Sequence, residues 1–135
     1  MNIIICVDDN NGILFNHRRQ SQDVKVREYI LQMCQGQTLW MSPYSAKQFE
    51  EEADFNISED CITETAQGEY CFVEGKPLLQ FEKWIERIVL IKWNRVYPSD
   101  IKFDIPLAEH GWKCIFTDEF AGKSHEKISV EVYDK

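Results

Sequence analysis

Residues Leu78–Phe103 read LLQFEKWIERIVLIKWNRVYPSDIKF. Within this stretch Arg87–Trp93 is an almost unbroken apolar run, rich in β-branched side chains. That is the pattern of a strand buried on both faces, as in a parallel sheet. Pro77 just upstream predicts the start of a helix running to about Trp84. Two further runs have the same character. Asn2–Val7 (NIIICV) ends at Asp8-Asp9-Asn10-Asn11-Gly12, a dense turn signal, and Tyr70–Val73 (YCFV) is turned by Gly75.

Helical periodicity fills the spaces between these strands. Val24, Val26, Tyr29, Ile30, Met33 and Cys34 recur at near-helical spacing, so Gln22–Cys34 reads as an amphipathic helix. Ser21 is its candidate N-cap, Asp23 supports the first turn, and Gly36 stops it. Gln37–Met41 reads as a strand. Ser42 then caps a helix that has Pro43 in first position and runs to about Glu52. Phe55–Ile57 is extended, and Ser58-Glu59-Asp60 opens a helix to about Ala66. Ile13-Leu14-Phe15 is followed by a polar stretch, Asn16–Gln22. Lys113–Thr117 and Ile128–Tyr133 alternate, as an antiparallel pair joined by the Ala121–Ser124 loop does. Alternating β and α units predict one α/β domain over residues 1–135, with a mainly parallel twisted sheet, a C-terminal antiparallel hairpin, and helices on both faces.

Composition narrows the class. The chain has 135 residues, 44% of them hydrophobic, enough for a core without metal or disulfide support. It carries 23 acidic against 15 basic residues, a formal charge of −8, which argues against a general nucleic-acid or anionic-membrane binder. The five cysteines include no C-x-x-C pair, so they read as reduced thiols in a cytoplasmic protein. His17, His110 and His125 have no metal-ligand spacing, and no metal is expected. No P-loop or G-x-S-x-G elbow is present.

The order of elements and several segments together resemble the dihydrofolate reductase family. Asn2–Gly12 is similar to the family's first strand and following turn. Leu39–Phe49 (LWMSPYSAKQF) stands where the family has apolar-M-G-R-x-T/S, and Tyr70–Gly75 (YCFVEG) where it has a strand ending in a glycine pair. Leu78–Phe103 matches its central helix, strand and acidic loop most closely, and Gly111–Tyr133 its closing hairpin. The resemblance implies the three-layer dihydrofolate reductase-like fold. It also implies a ligand cleft at the C-terminal edge of the sheet.

At the positions where the family binds and reacts, this chain departs from the pattern. The family's carboxylate at the start of its first long helix corresponds to Asp23, which the resemblance makes the candidate catalytic acid. The hydroxyl that partners that carboxylate is replaced by Ile91. On the cofactor side, Ser42-Pro43-Tyr44-Ser45 keeps a helix start but has neither glycine nor arginine. Glu74-Gly75 replaces the glycine pair, so a carboxylate would face an anionic cofactor. At roughly 5 Å and an effective dielectric near 20, that repulsion is about 3 kcal/mol. Between Phe49 and Ser58, where the family has a further strand and a loop for the adenosine end of NADPH, only Glu50–Ile57 stands.

These departures predict that NADPH-dependent folate reduction is lost and that no cofactor is bound. The cleft would keep a small anionic or planar ligand, or a protein partner. The candidate ligand-binding residues are Asp8, Arg18, Arg19, Tyr44, Ser45, Glu74 and Gly75. Arg18 and Arg19 supply local positive charge, and Tyr44 an aromatic face. Two other readings stand beside this one: a divergent NAD(P)H-dependent oxidoreductase acting on a folate-like heterocycle with Asp23 as its acid, and a structural or regulatory homodimer subunit joined through the shortened sheet edge.

Overall fold

Ile3, Ile4, Ile5 and Val7 are at most 1% exposed, because β1 (Asn2–Val7) is the middle strand of a seven-stranded sheet. The computed structural model describes all residues, Met1–Lys135. The other strands are β2 (Gly12–Phe15), β3 (Arg18–Arg19), β4 (Leu39–Met41), β5 (Asn56–Ile57), β6 (Tyr70–Phe72), β7 (Arg87–Lys92), β8 (Ile101–Lys102), β9 (Lys113–Phe120) and β10 (Ile128–Asp134). The large sheet runs β5-β4-β6-β1-β7-β10-β9. Pairings from β5 across to β7 are parallel, and β10 is antiparallel to both β7 and β9.

The period-2 alternation of the central strands divides the core into two layers. Ile3, Ile5 and Val7 join Ile88, Leu90, Leu78 and Trp112 on one face. Ile4 joins Val89, Ile91, Phe72 and Val130 on the other, beneath α1 (Val24–Met33). That helix buries Val26 and Ile30, each contributing about 1.5–3 kcal/mol relative to an exposed side chain. The opposite face is covered by α3 (Cys61–Glu64) and a 3₁₀ helix, Leu79–Trp84. The dihydrofolate reductase-like, mainly parallel three-layer architecture predicted above is therefore present.

Several local expectations are corrected. The first helix is capped by Asp23, whose side chain accepts from the Lys25 N–H at 2.8 Å. Ser21 is not the cap. Ser42 caps α2 as expected, but α2 (Pro43–Ala46) ends far short of Glu52. Phe49 turns inward against Phe55 and Phe72, and Glu51 is drawn to Arg27 at 3.0 Å, so the chain leaves the helical path. The Pro77–Trp84 segment winds as a 3₁₀ helix from Leu79.

The polar stretch after Phe15 is also structured. β2 and β3 form a hairpin, with Phe15 opposite Arg18 and both turn residues, Asn16 and His17, at positive φ. That conformation is the one a two-residue hairpin favours. β8 adds to the other side of β2, giving a three-stranded second sheet. The short Glu50–Ile57 segment still supplies an edge strand, the two-residue β5, parallel to β4.

Candidate functional site

The parallel strands β4, β6, β1 and β7 end on one edge, and the β2–β3 hairpin folds across it. Ligand sites of open parallel sheets lie at this edge. Here it holds two polar clusters and very little space. The gap between Cys6, Arg19, Ser21, Glu74 and Trp93 measures about 10 Å³, roughly the volume one water centre needs.

The first cluster is centred on Glu74, just beyond the end of β6. Its carboxylate takes a two-pronged ion pair from Arg19, with Nε to Oε2 at 3.0 Å and Nη2 to Oε1 at 3.1 Å. The Ser45 hydroxyl donates to Oε1 at 2.8 Å and the Gln48 amide at 3.0 Å. Ser45 lies on α2, and Gln48 follows three residues later, so both reach the same carboxylate. Arg19 also donates to the Tyr44 carbonyl at 3.1 Å and lies 4.2 Å from the centre of the Tyr44 ring. The Tyr44 hydroxyl accepts from the Arg19 backbone N–H at 2.9 Å. Burial opposes the charge on Arg19, and the Glu74 contact more than offsets it, so the guanidinium is held still more firmly protonated. The fork geometry is the one in which Arg recognises carboxylates and phosphates.

Gly75 is required beside this cluster. It sits at φ +75°, and an added Cβ would lie 2.8 Å from Cδ2 of Leu14 on the hairpin. Where the resemblance expects close approach of a ligand, the protein's own β2 makes that approach.

The second cluster surrounds Asp23, whose side chain is fully buried. It accepts from the backbone N–H groups of Lys25, Lys123 and Ser124 and from the Ser124 hydroxyl. His125 Nδ1 lies 2.8 Å from Asp23 Oδ2. Burial pushes the Asp23 carboxyl up, but the His125 contact and the three N–H donors outweigh it and hold the group well below the usual carboxylate range. Ile91, at the place of the family's hydroxyl, packs in the apolar layer under α1. Asp23 thus draws its partners from the loop between β9 and β10. Gly122 permits that wrap, since a Cβ there would stand 2.7 Å from Asp23 Oδ2.

Asp8 is buried at the end of β1 and organises the turn. It accepts from the N–H groups of Asn10, Gly12 and Tyr97 and from the Gln20 amide. Burial raises its pKa, and these donors more than reverse the effect. Arg18 is exposed and takes no part in either cluster: its backbone pairs with Phe15 in the hairpin, and its side chain makes no hydrogen bond or ion pair. Cys6 lines the gap, but burial, reinforced by Glu74, pushes its thiol far up, so it is no thiolate at neutral pH. No three His, Cys, Asp or Glu side chains are grouped to hold a metal ion. No helix is long and apolar enough to cross a membrane.

Sequence reasoning missed His125, Tyr97, Gln20 and Gln48. Gln48 is legible in retrospect, three residues beyond Ser45. His125 is not, since it lies 102 residues from Asp23. A cavity of about 510 Å³ lies at the other end of the sheet beside Met1, Phe81, Trp84 and Glu86, and one of about 690 Å³ lies between the end of α1 and Glu51–Asp54. In the first of these the Met1 ammonium and the Gly68 N–H both donate to Glu86 Oε2, so that end of the sheet has a polar cluster of its own, but none of the residues singled out from the sequence lies in it.

No protein-family model matches the sequence, and no curated protein matches it. Among solved structures, a dihydrofolate reductase from Enterococcus faecalis, complexed with NADP(H) and RAB-propyl, is similar with a TM-score of 0.66. The alignment covers 98% of this chain and 94% of that chain, at 10% sequence identity. Similarity at that level shows the shared fold, and the ligands belong to that protein.

Proposed function

We propose that this chain is a ligand-binding domain on a dihydrofolate reductase-like scaffold, and that it does not use NADPH as a hydride donor. The observation that supports this reading is the Arg19–Glu74 cluster. A site with a guanidinium fork, a helix-borne hydroxyl and an amide is suited to an anion. Here those donors converge on the protein's own carboxylate.

These residues do not fit a dinucleotide. The turn that follows β6 presents Glu74 to the region instead of a second backbone amide without a side chain, and Leu14 lies against Gly75. The gap of about 10 Å³ has no room for a nicotinamide ring without movement of the hairpin. A small anion, planar or carrying a carboxylate, gains entry by exchange: it takes Glu74's place against Arg19, Ser45 and Gln48, with the Tyr44 ring alongside.

Thermal stability of the purified chain tests the reading. NADPH at millimolar concentration is expected to produce no shift, whereas saturating binding at about 100 times the dissociation constant would stabilise by roughly 2.7 kcal/mol. Folic acid and inorganic pyrophosphate, tried separately, probe the planar and phosphoryl classes. A stabilising response that disappears in Arg19→Met supports the site. An NADPH shift, or an anion response that survives Arg19→Met, overturns it.

A further inference from the structure

Hydroxyl, imidazole and carboxylate lie in one hydrogen-bonded chain beside the cleft. Ser21 Oγ is 3.0 Å from His125 Nε2, and His125 Nδ1 is 2.8 Å from Asp23 Oδ2. We propose that Ser21, His125 and Asp23 form a nucleophilic acyl-transfer site, with Ser21 as nucleophile, His125 as general base and Asp23 as the positioning residue, acting on small activated carboxylic esters. The proposal does not rest on the ligand-binding reading above.

The roles follow from the surroundings. Asp23 is fully enclosed and held by N–H donors from α1 and the β9–β10 loop, so it stays anionic and fixed. An anionic Asp23 at Nδ1 keeps the ring proton on that nitrogen and turns the Nε2 lone pair toward Ser21. Trp93 lies 4.7 Å from the ring at 26°, which fixes the imidazole plane. Asp23 and His125 are buried, whereas Ser21 is half-buried and lines the gap of about 10 Å³, so an ester reaches it from the solvent side or as the β2–β3 hairpin moves, the same movement a ring ligand needs. A nucleophile at the boundary with its base and orienter behind it is the arrangement acyl transfer needs.

Tyr97 sharpens the assignment. Its hydroxyl also lies 3.0 Å from Nε2. A neutral imidazole has one lone pair there, so two hydroxyls compete for one acceptor. Either can satisfy the buried ring alone. Ser21 is therefore surplus to structure: it caps no helix, and it can turn toward a substrate while Tyr97 holds the imidazole.

In the step, Ser21 Oγ bonds to the ester carbonyl carbon as its proton passes to His125 Nε2. The C–O bond to the leaving alcohol then breaks, and that alcohol leaves with the proton. Water repeats the sequence on the acyl-serine, releasing the acid and restoring Ser21.

The experiment uses the full chain with phenylmethylsulfonyl fluoride, read by intact mass and peptide mapping, and with p-nitrophenyl acetate. In the labelling reaction Ser21 Oγ bonds to sulfur, fluoride leaves, and the proton goes to His125. One sulfonyl group is expected on Ser21, absent in Ser21→Ala. Labelling should slow about a hundredfold in His125→Gln, and persist in Tyr97→Phe. Because His125→Gln removes a buried ring, Asp23→Asn serves as a second, near-isosteric variant and should slow labelling without removing the adduct site. Both variants are scored only with a native circular-dichroism spectrum; if His125→Gln does not give one, Asp23→Asn decides. No adduct on the wild type, an adduct on another residue, or labelling unaffected in the folded variant would overturn the proposal.

Discussion

Glu74→Ala strips one carboxylate from four donors, and its cost can be worked from their geometry. The Arg19 and Glu74 side chains are 19% and 9% exposed. Breaking a fully buried pair from one side costs about 3–5 kcal/mol, whereas exposed pairs are worth about 0–1. This pair lies between those limits. After truncation Arg19 keeps the Tyr44 carbonyl and ring, but Ser45, itself 1% exposed, loses the acceptor of its hydroxyl. We expect a loss of about 2–3 kcal/mol, which for a chain of this size lowers Tm by roughly 6–12 °C. Thermal and urea unfolding followed by circular dichroism measure it. Arg19→Met/Glu74→Ala supplies the control: the two losses should fall short of additive by about 1.5 kcal/mol or more, since the second substitution removes a charge already unpaired. Acetate added to Glu74→Ala should recover part of the loss and do nothing for the double variant. A Tm within about 2 °C of wild type, or fully additive losses, would refute the idea that Glu74 occupies an anion site built by the rest of the cluster.

Acid sensitivity follows from the two buried aspartates. Asp23 and Asp8 are both held below their ordinary 3.8 in the folded state. A depressed folded pKa adds stability above the unfolded value and loses it as pH falls through the folded one. The urea midpoint should therefore drop steeply below about pH 4, and less steeply in Asp23→Asn; equal slopes would count against it. Gly122→Ala places a methyl 2.7 Å from Asp23 Oδ2 and 2.8 Å from the His125 carbonyl. It should cost about 2–3 kcal/mol in urea unfolding, within the range of overpacking, and a neutral result would show that the loop yields freely. His17 sits at φ 63° in the hairpin turn. His17→Gly should stabilise by about 0.5–1 kcal/mol, and a loss would mean that the imidazole makes a compensating contact.

What was legible in the sequence tracks burial. Asn2–Val7 and Arg87–Trp93 could be read because strands covered on both faces have no polar side to disguise them. Ser42-Pro43 could be read because capping is local. The end of α2 could not, because Phe49 is recruited by Phe55 and Phe72, and Arg27 takes Glu51 from another helix. The hairpin was hidden because its turn places a histidine where glycine is the usual signal. The candidate site divides in the same way. Arg19, Tyr44, Ser45 and Glu74 were each named from the sequence, but their mutual saturation is tertiary. Nothing local announces that Arg19 meets Glu74 across 55 residues, or that Asp23 meets His125.

The placement of β10 has a consequence for how the protein is made and trimmed. Residues Ile128–Asp134 pair with β7 on one side and β9 on the other, so β10 is an interior strand although it follows both neighbours in sequence. During synthesis β7 must wait with an open edge, its apolar face uncovered by Val130 and Val132, until these residues leave the ribosome. Cleavage that removed them would therefore detach β9 from the sheet as well. An intact Ile128–Asp134 segment is a condition of completing the core, much as the closing stave is for a barrel.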